Sequence, residues 1–243
     1  MRSNPAPTAA MRSRVWYHGT PSLKTAERIA IEGIRPPTLA LVTGKYRSPR
    51  SMLAPVRGRV YLTPDIAYAQ IYALGANMAG SELPNSVKND YGRYGYVLVV
   101  PGSELVDLQP DEDEVGELLS SALLGPPRQG GWIGEHGTRA WTRDPSFMEE
   151  LARFARKVLT AKQLWSLTHD VGIAVEASAG KRALKKMSDA MKLRIIALDT
   201  HVSHAGPPLH PVEAWEIDRE RSPELKADGS NFFNVATLVW RHR

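Results

Sequence analysis

The stretch Trp16-Tyr17-His18-Gly19-Thr20 decides the reading of this chain. Together with Val15, its first residues are bulky and favour a short strand, and the His-Gly-Thr that follows predicts a polar strand end at which backbone can be approached closely. Ser22 stands as the cap of a helix whose apolar positions Leu23, Ala26, Ile29 and Ala30 recur at helical spacing before Gly33 stops it. This series is answered downstream. Gly58-Arg59-Val60-Tyr61-Leu62 predicts a second strand, and Thr63-Pro64-Asp65 predicts a helix start with proline in the first turn. That helix runs to about Leu74 and carries Tyr72.

Further outward, Tyr96 to Val100 is an apolar run ended by Pro101-Gly102, which predicts a buried central strand. From Pro110 to Leu193 the pattern turns helical. Glu112 to Leu124, Phe147 to Leu159, Ala161 to Leu167 and Lys181 to Met191 all carry apolar residues three or four apart. The acidic group Asp111 to Glu114 falls where the first of these helices begins, a placement the helix dipole favours. Val212 to Ile217 and Asn234 to Trp240 predict two closing strands that form a hairpin across a polar connection containing Asp228-Gly229-Ser230. Strands at both ends with helices between them predict an α+β fold with a mixed or largely antiparallel sheet. The domain plan is a disordered tail over residues 1–13, one domain over 14–243, and a helical insertion at about 110–193.

Composition bounds the chemistry. The 243 residues are 42% hydrophobic and 23% charged, enough for a real core. With no cysteine, disulfides, thiolate zinc sites and cysteine nucleophiles are excluded. No apolar run approaches a membrane span, so the expectation is a cytoplasmic protein without a membrane partner. The net charge of +5 suits an anionic ligand. Arg35 to Arg59 holds six basic residues and no acid, and is the candidate contact for a pyrophosphate or an anionic acceptor. Gly44-Lys45 lacks the other residues of a phosphate-binding Walker loop. His201, His204 and His210 lack a metal-binding carboxylate pattern, and no Gly-x-Ser-x-Gly elbow is present.

Residues 15–73 resemble the NAD-binding half of the ADP-ribosyltransferase superfamily, in its His-Tyr-Glu branch shared by diphtheria-type toxins and poly(ADP-ribose) polymerases. The resemblance rests on His18-Gly19-Thr20, Gly33-Ile34, Gly58-Arg59-Val60-Tyr61-Leu62 and Tyr72. It implies an ADP-ribosyltransferase-like split sheet with a helical insertion, and NAD as co-substrate. By that resemblance His18 hydrogen-bonds a ribose hydroxyl, Gly19 meets the carboxamide, Tyr72 stacks on nicotinamide and Tyr61 lines the opposite wall. Thr20 and Arg59 complete the cofactor-binding set. Two tyrosines suit an aromatic cation through stacking and cation–π attraction.

The family also uses a late carboxylate that stabilises the charge developing as the glycosidic bond breaks. Glu213, opening the strand after His210-Pro211-Val212, is the candidate, so the catalytic set reads Glu213, His18 and Tyr61. Glu216 points to the other strand face, and only one of the two can reach the pocket. Ala69 stands one helical turn before Tyr72, where the polymerases carry a serine. A first-strand His in place of Arg argues against arginine as acceptor. The implied activity is mono-ADP-ribosyl transfer to a nucleic acid or protein. An NAD glycohydrolase, an NAD-dependent RNA 2′-phosphotransferase and a non-catalytic basic binding module are the alternatives. The RNA enzymes carry His where this chain has Tyr61.

Overall fold

A computed structural model describes residues 5–36, 59–74, 93–127, 135–169 and 173–241. In chain order its elements are α1 (Ala9–Ser13), β1 (Val15–Thr20), α2 (Leu23–Glu32), β2 (Val60–Leu62), α3 (Ile66–Leu74), β3 (Tyr94–Pro101) and β4 (Leu108–Pro110). The helices α4 (Glu112–Leu124), α5 (Glu135–Arg143), α6 (Pro145–Val158), α7 (Ala161–His169), α8 (Ile173–Leu184) and α9 (Asp189–Ile196) follow. The chain closes with β5 (Val202–His204), β6 (Glu213–Asp218), α10 (Phe232–Val235) and β7 (Thr237–Arg241). This is the α+β class the sequence predicts, with antiparallel strands in the larger sheet.

Contacts divide the chain into two compact units, one built on Gln109–Val202 and the other on the described residues before and after it. The strand-bearing unit holds a four-stranded sheet of order β1-β3-β6-β7, all pairs antiparallel. A second sheet has the order β2-β5-β4. A single bridge, Tyr17 to Thr63, links β1 to the region just beyond β2. Tyr17 N–H donates to the Thr63 carbonyl at 2.8 Å, and Thr63 N–H donates back at 3.0 Å.

Alternation along the strands assigns a helix to each face of the larger sheet. Gly19, Gly95 and Val97 lie on one face, where a Cβ on either glycine would overlap the backbone of α3. Val97 and Ile217 pack there with Ala69, Ala73 and Phe232. On the reverse face Tyr96 lines one groove with Ala26 and Ala30 of α2. Both glycines are therefore required by close helix packing.

The helical unit has its own core. Val115, Leu118 and Leu119 of α4 are fully buried with Phe147, Met148 and Leu151 of α6. The contact between α4 and α8 is closer still, because Gly116 sits against the Glu176 carbonyl and Gly180 against that of Glu112. Side chains larger than hydrogen at either position would hold the two backbones apart.

Three expectations need correction. The predicted tail 1–13 is ordered from α1 onward: Thr8 accepts from Met11 N–H at 3.3 Å, Met11 is buried, and Trp16 Nε1 donates to the Met11 carbonyl at 3.3 Å. The insertion extends past residue 193 to Val202. The helix expected over Lys181 to Met191 is two helices, because the chain turns after Leu184 and Ser188 caps a new start by accepting from Met191 N–H. Gly58 and most of the basic stretch between Arg35 and Arg59 lie outside the described residues.

Candidate functional site

The site forms where the two sheets part. In an antiparallel ladder, the pair after Tyr17 and Thr63 would bring Gly19 N–H to the Tyr61 carbonyl. That pairing is not made. The His18 ring reaches the carbonyl instead, with Nδ1 3.0 Å from Tyr61 O. A carbonyl can only accept, so Nδ1 carries the proton and the imidazole closes the gap between β1 and β2. Burial pushes His18 below the ordinary histidine value, against a smaller upward pull from this hydrogen bond. The ring is therefore neutral near pH 7, and Nε2 presents a lone pair suited to a hydroxyl donor.

Gly19 lies directly against α3. A Cβ there would stand 2.7 Å from the Cβ of Tyr72 and would overlap the Ala69 carbonyl. The structure thus seats His18 on the backbone of Tyr61 and its neighbour Gly19 against Tyr72, although Tyr61 and Tyr72 follow Gly19 by more than forty residues. Tyr72 is 39% exposed and Tyr61 is half-buried. Thr20, at the end of β1, is buried.

Arg219 holds the helix that carries Tyr72. Its guanidinium donates to the carbonyls of Leu74 and Ala73 at the end of α3, and to that of Pro21 just past β1. Cationic groups at a helix C-terminus satisfy carbonyls that lack intrahelical partners and suit the dipole. The sequence reading missed this residue. A basic residue after a predicted strand carries no signal that two other elements end beside it.

Register decides where the two candidate carboxylates stand. Tyr17, Val99 and Glu213 form one row across β1, β3 and β6, on the face that carries α3. Thr20, Tyr96 and Glu216 form a row on the reverse face. Glu213 accepts from Trp215 Nε1 at 2.8 Å and pairs with Arg241 Nε at 2.7 Å. Glu216 accepts from the Tyr96 hydroxyl at 3.0 Å. Glu213 therefore shares a face with the Tyr72 helix and Glu216 does not. By the same alternation His18 begins on the reverse face, and only its ring crosses the split edge to Tyr61.

Tyr17 adds an acidic surrounding. Burial raises its phenol above the ordinary value, and the negative charges of Glu213 and Asp65 push it further. Asp65 is fixed at the start of α3, where its Oδ1 accepts from Ala67 N–H at 2.9 Å. Asp65, the Glu213–Arg241 pair and a protonated phenol thus surround this face.

Arg59 is directed elsewhere. It donates to the Ser203 hydroxyl at 3.0 Å and to its carbonyl at 3.4 Å, so it is tied to β5, the neighbour of β2 on the side away from β1. His204, on the same strand, is buried and donates through Nε2 to the Pro207 carbonyl at 3.2 Å. No group of His, Asp and Glu side chains among the described residues is arranged to hold a metal ion. No helix among them is long and apolar enough to cross a membrane. Comparison with protein-family models, curated proteins and solved structures finds no match to this chain.

Proposed function

We propose that the chain is an NAD-dependent ADP-ribosyltransferase, acting at the split between β1 and β2. The observation that carries this reading is the convergence there of His18, bonded to Tyr61, with Gly19, seated against the helix of Tyr72. These are the residues through which the sequence resembles the His-Tyr-Glu branch. A neutral His18 offers Nε2 to a ribose hydroxyl, and the two tyrosines suit the faces of a cationic nicotinamide ring.

In the proposed reaction the bond from ribose C1′ to the nicotinamide nitrogen breaks, and its electron pair leaves with nicotinamide. The positive charge left on the ribose is stabilised by Glu213, whose position on the Tyr72 face supports its choice over Glu216. An acceptor nucleophile then attacks C1′ and its proton passes to solvent. The acceptor class is a nucleic acid or a protein.

Nicotinamide release from NAD tests the reading. Wild type releases it, and Glu213→Gln lowers the rate by roughly 100-fold or more, whereas Glu216→Gln keeps most of it. No release from wild type overturns the enzyme reading. Equal loss in both variants overturns the assignment of Glu213. Release without transfer of labelled ADP-ribose to protein, DNA or RNA identifies a glycohydrolase.

A further inference from the structure

The helical unit carries a surface unrelated to the candidate pocket. Residues 151–169 and 177–188 contain no Asp or Glu. Arg156 and Lys157 are exposed near the end of α6, Lys162 in the first turn of α7, Arg182 at the end of α8, and Lys185 and Lys186 in the turn just past it. None of the six has a carboxylate partner among the described residues. Arg182 Nε donates to the Val158 carbonyl at 2.9 Å, which places the end of α8 beside the corner joining α6 to α7. Three basic groups that are separate in sequence thus share one corner of the unit.

An aromatic platform begins one helical turn from Lys162. Trp165 is 59% exposed, and its ring lies parallel to that of His169, 4.9 Å between centroids and 5° between planes. His169 Nδ1 is held 2.8 Å from the Thr168 hydroxyl and 3.0 Å from the Trp165 carbonyl. Lys162, Trp165 and His169 follow helical spacing and form one stripe of α7. The stacked ring holds the exposed indole in place, beside the basic groups of the same corner.

We infer that this corner binds single-stranded nucleic acid, the basic groups following the phosphates and Trp165 with His169 stacking on an unpaired base. A single strand presents unpaired base faces to an exposed ring pair, which a duplex does not; charge with stacking favours that ligand, and an acidic membrane is an outcome of the test below. Recognition is by charge and stacking, without base-edge readout, so it is tolerant of sequence.

Fluorescence anisotropy with labelled oligo(dT) and oligo(U), across a salt titration, tests the inference. Wild type binds both, and log affinity falls linearly with log salt. Trp165→Ala weakens binding roughly tenfold with the salt slope unchanged. The triple variant Arg156→Gln, Lys157→Gln, Lys186→Gln lowers the slope by about 2. All four positions are exposed, and circular dichroism verifies that the variants remain folded. Absence of binding at low salt, no effect of Trp165→Ala, equal affinity for a duplex of the same length, or tighter binding to phosphatidylserine vesicles each overturns the inference. Its outcome is independent of whether the chain cleaves NAD.

Discussion

A methyl group at Gly19 has nowhere to go, since the Ala69 carbonyl, the Ala73 nitrogen and the Tyr72 Cβ fill the space. Gly19→Ala is expected to push α3 from the sheet and to cost about 1–3 kcal/mol of stability, read as a lowered midpoint in thermal or denaturant unfolding. An unchanged midpoint would show that the helix seats differently. The same residue was singled out in the sequence for its approach to a ligand. The structure gives it a packing role as well, and the two are compatible because the Cβ direction meets the helix while the backbone remains in β1. His18, Tyr61 and Tyr72 were legible as candidates only, because a strand end, a second short strand and the helix after it are local signals. The choice between Glu213 and Glu216 was not, because strand parity acquires a face only through the register of β6 on β3, distant in the chain.

At the scale of elements, α4 and α8 pack almost backbone to backbone, and the acids of α4 are enclosed by that contact. Burial, with the nearby charges of Glu117 and Asp113, pushes Glu176 up to about 7. Asp113 is pushed up to about 6, chiefly by burial, with Glu112 adding to it and Lys181 opposing. Asp111 is raised as well, chiefly by burial. The fold therefore holds these carboxyls protonated where the unfolded chain ionises them. Glu176→Gln removes the cost of ionisation and is expected to stabilise the protein by about 1–2 kcal/mol at pH 8 and by little at pH 4. A two-pH comparison of unfolding midpoints checks it, and equal shifts at both values would sink the explanation. Periodicity located α4 to the residue, but it could not show which helix would cover the acids. Gly116 and Gly180 are the signal for that contact, and isolated glycines in helices more often read as weak points. The split of Lys181 to Met191 was hidden for a similar reason: apolar spacing continues across the turn that Ser188 restarts.

At the scale of the whole molecule the buried titratable groups of the two units answer pH in opposite directions. In the strand-bearing unit His18 and His204 are held below the ordinary histidine value by burial. The unfolded chain takes up protons first, so that unit loses stability as pH falls through about 6.5. In the helical unit the raised carboxyls give the reverse: their contribution is fully present below about pH 4 and is lost as pH rises to about 7. Hydrogen exchange at pH 5 and pH 8, corrected for intrinsic rates, should show helices α4 to α9 relatively better protected at the lower pH. Residues 15–20 and 94–101 should be better protected at the higher. Protection that moves together in both segments would refute the assignment of these groups.

The helical stretch also starts and stops at one point of the fold. Asp111 N–H donates to the His201 carbonyl at 3.0 Å, and Ala205 N–H donates to the Asp107 carbonyl at 3.2 Å. Those two bonds run in opposite chain directions, so β4 and β5 are related as the arms of a hairpin. A two-residue turn is enough to join such arms. The six described helices therefore leave and rejoin the strands between one pair of neighbouring residues, Asp111 and His201.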